Sequence, residues 1–330
     1  MKKLILLFVV LVKQVSAQDP HFSQYFSSPL TLNPANTGNF DGPLRVAMNF
    51  RNQWQGIADP FVTGTASFES QLAKGSMGNG NRLAAGILGF YDKGLSGGYV
   101  ANYLGTSIGY HLWLDEDQRH KLSVGFQTVL VNKRLDFTKL TFSNQLTSGG
   151  FDMNLSSDEL VANSNFGYLD WNAGLMYTAM GNKGNFYVGA SLYHLTQPVE
   201  GYLEKKNIVP VRTVLQMGYT HFFNETGSIM SSAQYQSQSG MDAMTLGAAL
   251  VRKLSSNGKD ILMYAGGWVR LQESVIPYLG LLYDNIQFGL SYDIVTDSRQ
   301  TARLQNRSVE ISMIYNFRDL KNYKRLVPWY

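Results

Sequence analysis

From residue 44 onward the chain alternates apolar and polar side chains with a period of two. In 308–317, Val309, Ile311, Met313, Tyr315 and Phe317 share one face, opposed by Ser308, Glu310, Ser312 and Asn316. The preceding segment repeats the pattern, with Ile286, Phe288, Leu290, Tyr292 and Ile294 against Gln287, Gly289, Ser291 and Asp293. Period two is the signature of a β-strand with two unlike faces. Strands are predicted at 44–54, 60–70, 82–92, 98–113, 119–134, 171–180, 185–195, 210–222, 227–238, 242–253, 259–271, 275–283, 285–294 and 307–317, fourteen in all. Their connections alternate in length. Asp115-Glu116-Asp117-Gln118, Gly181-Asn182-Lys183-Gly184, Asn224-Glu225-Thr226-Gly227, Ser255-Ser256-Asn257-Gly258 and Asp284-Asn285 are tight turns, whereas 135–170, 196–209 and 295–306 are long and fall on one side of an up-and-down sheet. A transmembrane β-barrel has this asymmetry, with short periplasmic turns and longer external loops. The fold expected is all-β: a transmembrane antiparallel up-and-down barrel of about 14 strands, spanning 44–317. Lipid demands closure, because every backbone donor and acceptor must be paired within the protein. A soluble β-sandwich or lipocalin-type barrel is the alternative, and it would turn the apolar faces inward. With lipid outside, arginine at Leu290 is expected to cost about 2–4 kcal/mol and at Ser291 much less.

The first residues change the charge and the compartment. Lys2 and Lys3 precede an apolar run from Leu4 to Val12, and Val15-Ser16-Ala17 offers small residues to a signal peptidase, so 1–17 reads as a removed export signal. Removing Lys2, Lys3 and Lys13 from 28 basic residues leaves 25 against 24 acidic ones, and the formal charge falls from +4 to +1. Without a basic cluster, nucleic acid has no electrostatic footprint to bind. The chain has no cysteine, so an exported fold must rely on backbone ladders and packing. The least charged stretch, 94–114, is too rich in glycine and polar residues for a transmembrane helix.

Candidate chemistry is sparse. His21, His111, His120, His194 and His221 lack metal-binding spacing, and there is no nucleophile elbow or phosphate loop, so neither a catalytic residue nor a cofactor or metal site is expected. Lone strand histidines such as His194 and His221 read as lumen-facing or interfacial polar groups. Aromatics near strand ends suit membrane-interface girdles: Trp54, Tyr91, Trp113, Trp171, Tyr193, Phe222, Trp268, Tyr283 and Phe317. Residues 18–43 differ from the rest, with prolines at 20, 29 and 34 and no strand period, and read as an extended arm. Its apolar content calls for a docking place in the lumen, at the periplasmic rim or on a partner, and a plug segment packed in its own barrel is favoured over a dedicated partner arm. Phe22, Gln24, Tyr25, Asn33 and Pro34 are its candidate contact residues, and Phe137, Phe142, Phe151, Phe166 and Tyr168 are candidate anchors in the long loops or caps of the barrel mouth. Residues 318–330 form a C-terminal tail beyond the last strand.

The arm carries a resemblance. Asp19-Pro20-His21-Phe22-Ser23-Gln24-Tyr25, then Asn33-Pro34-Ala35 with Gly38, then Arg45-Val46 and Asn49-Phe50-Arg51-Asn52-Gln53-Trp54 resemble the opening of the PorP/SprF family of outer-membrane barrels in the type IX secretion system of Bacteroidetes. Asp170-Trp171-Asn172-Ala173-Gly174-Leu175, His194-Leu195-Thr196-Gln197-Pro198, Phe288-Gly289-Leu290-Ser291-Tyr292-Asp293-Ile294 and Val309-Glu310-Ile311-Ser312 are similar too. The tail departs from a family expected to stop near its last aromatic strand. The resemblance implies a non-enzymatic, cofactor-free protein of the outer membrane. It further implies that the barrel receives or anchors large secreted proteins, such as gliding-motility adhesins, through their C-terminal sorting domains and meets other type IX components. A porin or transporter of hydrophobic small molecules is the alternative function.

Overall fold

The computed structural model describes residues 19–53, 60–74, 80–156, 164–202, 205–256, 259–296 and 307–317. The expected signal segment 1–17, the tail 318–330 and Trp54 lie outside them. Fourteen strands form one closed antiparallel barrel. Numbering only these, they are β1 (Leu44–Gln53), β2 (Phe61–Lys74), β3 (Arg82–Gly94), β4 (Tyr99–Trp113), β5 (His120–Leu135), β6 (Ser164–Met180) and β7 (Gly184–Tyr193). The second half is β8 (Arg212–Phe222), β9 (Gly227–Gln238), β10 (Met241–Ser256), β11 (Lys259–Arg270), β12 (Ser274–Tyr283), β13 (Ile286–Val295) and β14 (Arg307–Phe317). Each strand pairs with its sequence neighbours, and β1 closes on β14 from Leu44↔Phe317 to Gln53↔Ser308. Every predicted strand is present. The long connections, 136–163, 194–211 and 296–306, share one rim, and the short connections 114–119, 181–183, 223–226 and 284–285 lie at the other.

Side chains sort to the two surfaces as lipid requires. Leu104, Ile108, Leu279, Leu290 and Ile311 point outward and are about half exposed or more, while Glu69 and Glu310 on the inner face are 0 % exposed. A soluble barrel would reverse this arrangement, since it buries its apolar face and wets its charges. Much of the inner face is buried because the N-terminal segment packs against it. Residues 19–43 run inside the barrel from the long-loop rim, where Asp19 meets His194, to the short-turn rim, where β1 begins. The segment is a plug packed in its own barrel, one of the docking places expected of it, and only the extended shape suggested by its prolines is corrected. It folds into three short helical turns, Tyr25–Ser27, Pro29–Leu32 and Pro34–Asn36. Pro29 and Pro34 start the second and third, at a position where a missing N–H costs nothing, and the Asn33 side chain accepts from the Ala35 N–H to cap the third.

The β5–β6 hairpin reaches further than predicted, because β6 starts at Ser164, and Val131↔Tyr168 and Lys133↔Phe166 are ladder pairs. Phe166 and Tyr168 therefore belong to a strand and not to a loop; they continue the inward parity of Asp170 and Asn172.

Candidate functional site

Four sets of contacts hold the plug. The deepest is ionic. Glu310 accepts from the backbone N–H groups of Ser23 and Gln24 and from Asn49 Nδ2, each at 2.8 Å. Gln24 donates from Nε2 to Ser291 Oγ at 3.0 Å and to the Glu310 carbonyl at 2.9 Å, and Ser312 donates to its Oε1. Arg51 reaches Asp293 at 2.9 Å and the His21 carbonyl, and Arg270 donates to Ser23 Oγ, which donates to Asp293. Two acids and two guanidiniums on β1, β11, β13 and β14 thus converge on His21, Ser23 and Gln24. Buried charges persist only with such pairing. Nearer the short-turn rim, Arg45 and Glu69 pair at 2.8 Å and hold the plug through the Asn36 carbonyl and the Gly38 N–H.

The second set is apolar. Phe26 packs against Trp268 at 5.0 Å and edge-on to Tyr278 at 5.4 Å, and the Tyr25 hydroxyl bonds Ser232. The third is a close backbone approach. A Cβ at Gly125 would lie 2.1 Å from the Pro34 carbonyl carbon, and one at Gly174 would lie 1.9 Å from Asn33 Oδ1, so glycine is needed at both. Asn33 Nδ2 also donates to the carbonyls of Leu175 and Ala190.

The fourth set lies at the long-loop end. His194 sits between two carboxylates, with Nε2 2.6 Å from Asp19 and Nδ1 2.7 Å from Asp170, and Arg212 Nε lies 3.5 Å from Asp19. Burial opposes charge on His194, but Asp19 and Asp170 outweigh it and lift its pKa to about 9. Burial likewise opposes charge on Asp19, while His194 and Arg212 hold its carboxyl well below the usual range. At neutral pH this is an ionic latch between plug and wall.

Above the latch, the long loops are ordered by a few polar side chains. Gln145 accepts from the Phe142 N–H and donates to the Leu155 carbonyl, bracing the small hairpin Leu146–Thr147 and Gly150–Phe151. Glu200, in the hairpin Val199–Tyr202 and Lys205–Ile208, takes Lys133 Nζ and the Tyr168 hydroxyl. Leu146, Phe151, Met153, Leu155, Val199 and Ile208 remain exposed on these loops.

The predicted site residues separate by location. Phe22, Gln24, Tyr25, Asn33 and Pro34 are all buried in the lumen. Phe137 is buried, Phe142 and Phe166 are half-buried, Tyr168 bonds Glu200, and Phe151 is exposed. Trp171, Tyr283 and Phe317 point outward. Trp113, Tyr193 and Trp268 are not girdle residues, because their parity turns them inward: Trp113 lies under Lys121, Tyr193 under Arg212, and Trp268 against the plug. Ser291 also departs from expectation. It faces Gln24 and not water, so arginine there collides with the plug. Sequence reasoning missed Arg45, Arg51, Glu69, Arg270, Asp293 and Glu310 as plug anchors. Their signal was present, since each is a charge on the face of a strand opposite lipid. Among the described residues no cluster suits a metal ion.

The model of the family described as "Type IX secretion system membrane protein PorP/SprF" matches residues 14–315. The chain belongs to this family. No curated protein matches the chain. Among solved structures, this PorP/SprF barrel is similar to a Pseudomonas aeruginosa FadL homologue, at TM-score 0.50 and 10% identity over 86% of this chain and 93% of that one. It is also similar to the P. putida toluene transporter TodX, at TM-score 0.51 and 12% identity over 87% and 93%. At such identities the likeness is one of fold, an outer-membrane barrel. Family and fold together place this PorP/SprF protein in the outer membrane as a component of type IX secretion.

Proposed function

We propose that this PorP/SprF barrel is a non-catalytic docking and anchoring component of type IX secretion. It receives large secreted surface proteins, such as adhesins of the gliding-motility type, through their C-terminal domains. The reading makes 1–17 a cleaved export signal, the short-turn rim periplasmic and the long-loop rim external. The observation that carries it is the pair of braced loops over 142–155 and 199–208, which hold six apolar side chains out from the rim. Exposed apolar groups on a fixed backbone are the form of a protein interface, since their ordering cost has already been met in the free protein. The periplasmic rim, from which the tail leaves β14, is assigned to other type IX components.

The test is affinity purification of the tagged protein from native outer membranes in mild detergent, with co-purifying chains identified by mass spectrometry. A large secreted protein bound through its C-terminal domain is expected, and the double variant Phe151→Asp, Leu146→Asp should lose it. A barrel recovered without partners, or equal capture by the variant, would overturn the reading. A second reading, passage of hydrophobic small molecules as the name of the toluene transporter TodX suggests for that protein, draws support from a cavity beside the plug. Solute uptake dependent on the purified barrel would favour it.

A further inference from the structure

The plug does not fill the lumen evenly. Its ionic and aromatic anchors lie mainly on β1, β2 and β9 to β14, and opposite them a cavity of about 90 Å³ is left against β3 to β9. Below the cavity, Asn33 to Thr37 press on Gly174, Gly125 and Gly109. The cavity thus occupies the half of the lumen nearer the long-loop rim and has a floor made by the plug.

Its walls are of two kinds. Phe22, Leu88, Phe90, Tyr103, Val129 and Val214 supply apolar and aromatic surface. Arg212 and His21 supply polar groups with unused capacity. The Arg212 guanidinium stacks on the Tyr193 ring at 4.2 Å, and its ion pair to Asp19 is a long one at 3.5 Å. Asp19 is instead held closely by His194 at 2.6 Å, and Arg212 Nε, although buried, makes no hydrogen bond. A guanidinium has five donors in a rigid fork suited to a carboxylate, so leaving one loosely engaged is unusual in a lumen where Arg45, Arg51 and Arg270 each make close bonds to carboxylates. His21 Nε2 is likewise buried without a partner. Burial, then Arg270, Arg51 and Arg212, hold this imidazole well below its ordinary pKa, so it is a neutral donor or acceptor in a positive local field.

We propose that this cavity is a binding site for a carboxylate carried on a single aromatic ring, with the ring against Phe90, Tyr103 and Val129 and the carboxylate on Arg212. Size sets the class. A closed apolar cavity of roughly 150 Å³ takes a benzene, so one of about 90 Å³ has room for one ring at most, with the substituent reaching into its open side, and none for a long chain. The His194 pairing keeps Asp19 in place while Arg212 turns to the ligand. The assignment is independent of the anchoring role, because it concerns the lumen of the isolated barrel and needs no secreted partner.

Isothermal titration of the purified full-length protein in detergent tests it, with phenylacetate as probe. Phenylethanol supplies the same ring without charge, and acetate the charge without the ring. Phenylacetate should bind more tightly than either. Arg212→Gln should weaken phenylacetate by about tenfold or more, the worth of a charged hydrogen bond, and leave phenylethanol unchanged. Val129→Phe, which fills the cavity, should abolish both. Unheated gel mobility confirms that each variant is a folded barrel, and Arg212→Lys, which retains the charge but not the fork, replaces the glutamine variant where that one does not fold. A tetrapeptide ending in phenylalanine distinguishes the carboxylate of a chain terminus from that of a free acid. Equal affinity for phenylacetate and phenylethanol, no binding of phenylacetate, or full binding by Val129→Phe would overturn the site.

Discussion

Replacing Glu310 by alanine should release the plug while leaving the barrel closed. The Glu310 side chain is fully buried, accepts three N–H groups at 2.8 Å and lies 4.0 Å from Arg51. Its removal strands the Ser23 and Gln24 amides and Asn49 in a buried interior and leaves Asp293 as the carboxylate nearest Arg51. Breaking one side of a buried charged network costs about 3–5 kcal/mol, and none of that loss touches the β13–β14 ladder, which is made by backbone. The chain has no cysteine, so a reporter Ser27→Cys can be added; Ser27 is 0 % exposed, and its hydroxyl makes no hydrogen bond. Maleimide labelling of that cysteine then measures plug opening. At about 1.4 kcal/mol per decade, Glu310→Ala should speed labelling by about two to three and a half decades. Glu310→Gln keeps one acceptor oxygen and should fall between. Unheated gel mobility should be unchanged in both. Labelling of Glu310→Ala at the wild-type rate, with the barrel folded, would refute the claim that this carboxylate holds the plug.

Leu290→Arg should cost about 2–4 kcal/mol in urea unfolding from lipid vesicles, because Leu290 faces outward at mid-strand. Ser291→Arg should leave the ladder intact and expose the Ser27→Cys reporter; the opposite pattern would mean the two faces are exchanged. Gly125→Val should unseat Asn33 to Ala35, seen as faster labelling of an Ala35→Cys reporter, since its Cβ has no room against the Pro34 backbone. The latch predicts a pH window. His194 has a folded pKa raised to about 9 from 6.5, so its contribution is complete below 6.5 and is lost as pH rises through 9; Asp19, with a depressed pKa, contributes above about 4 and loses that contribution in stronger acid. The stability difference between wild type and His194→Gln should be greatest between these limits and shrink toward pH 9, and a difference that grows with pH would refute the ionic latch.

The strands were legible because lipid imposes one rule on all of them. Whichever residues share the apolar face must be outside, and period two then fixes the rest, as in Leu290 against Ser291. The aromatics were less legible, since a tryptophan near a strand end suits both a girdle and a plugged lumen. Parity would have decided them: Trp268 shares its face with Arg270, Trp113 with His111, and Tyr193 with Ser191, and in each case the polar neighbour is buried. The glycines at 105 and 109 in β4 and at 266 and 267 in β11 blurred that reading by breaking the alternation. The plug was legible as a composition and not as a shape. Its turns depend on prolines at helical starts and on anchors more than 200 residues away, such as Glu310 and Asp293, which no local pattern connects to Ser23 and Gln24.

The two long loops that carry the exposed apolar groups join β5 to β6 and β7 to β8, and those four strands also line the cavity. Apart from the His194 latch, the plug's ionic anchors stand on the opposite side, on β1, β2, β11, β13 and β14. Docking face and cavity therefore share one half of the barrel, and the Glu310 and Arg45–Glu69 anchors belong to the other. Glu200 joins the first two, because its bonds to Lys133 and Tyr168 tie a loop hairpin to strand residues above the cavity. Energetic coupling runs through contacts that are shared between sites. Variants at Glu200 should therefore alter partner capture and phenylacetate affinity together, while Glu310→Ala should change plug labelling without changing the braced loops. A partner that loosened the Glu310 anchors on binding would show that the halves are coupled by a route other than these contacts.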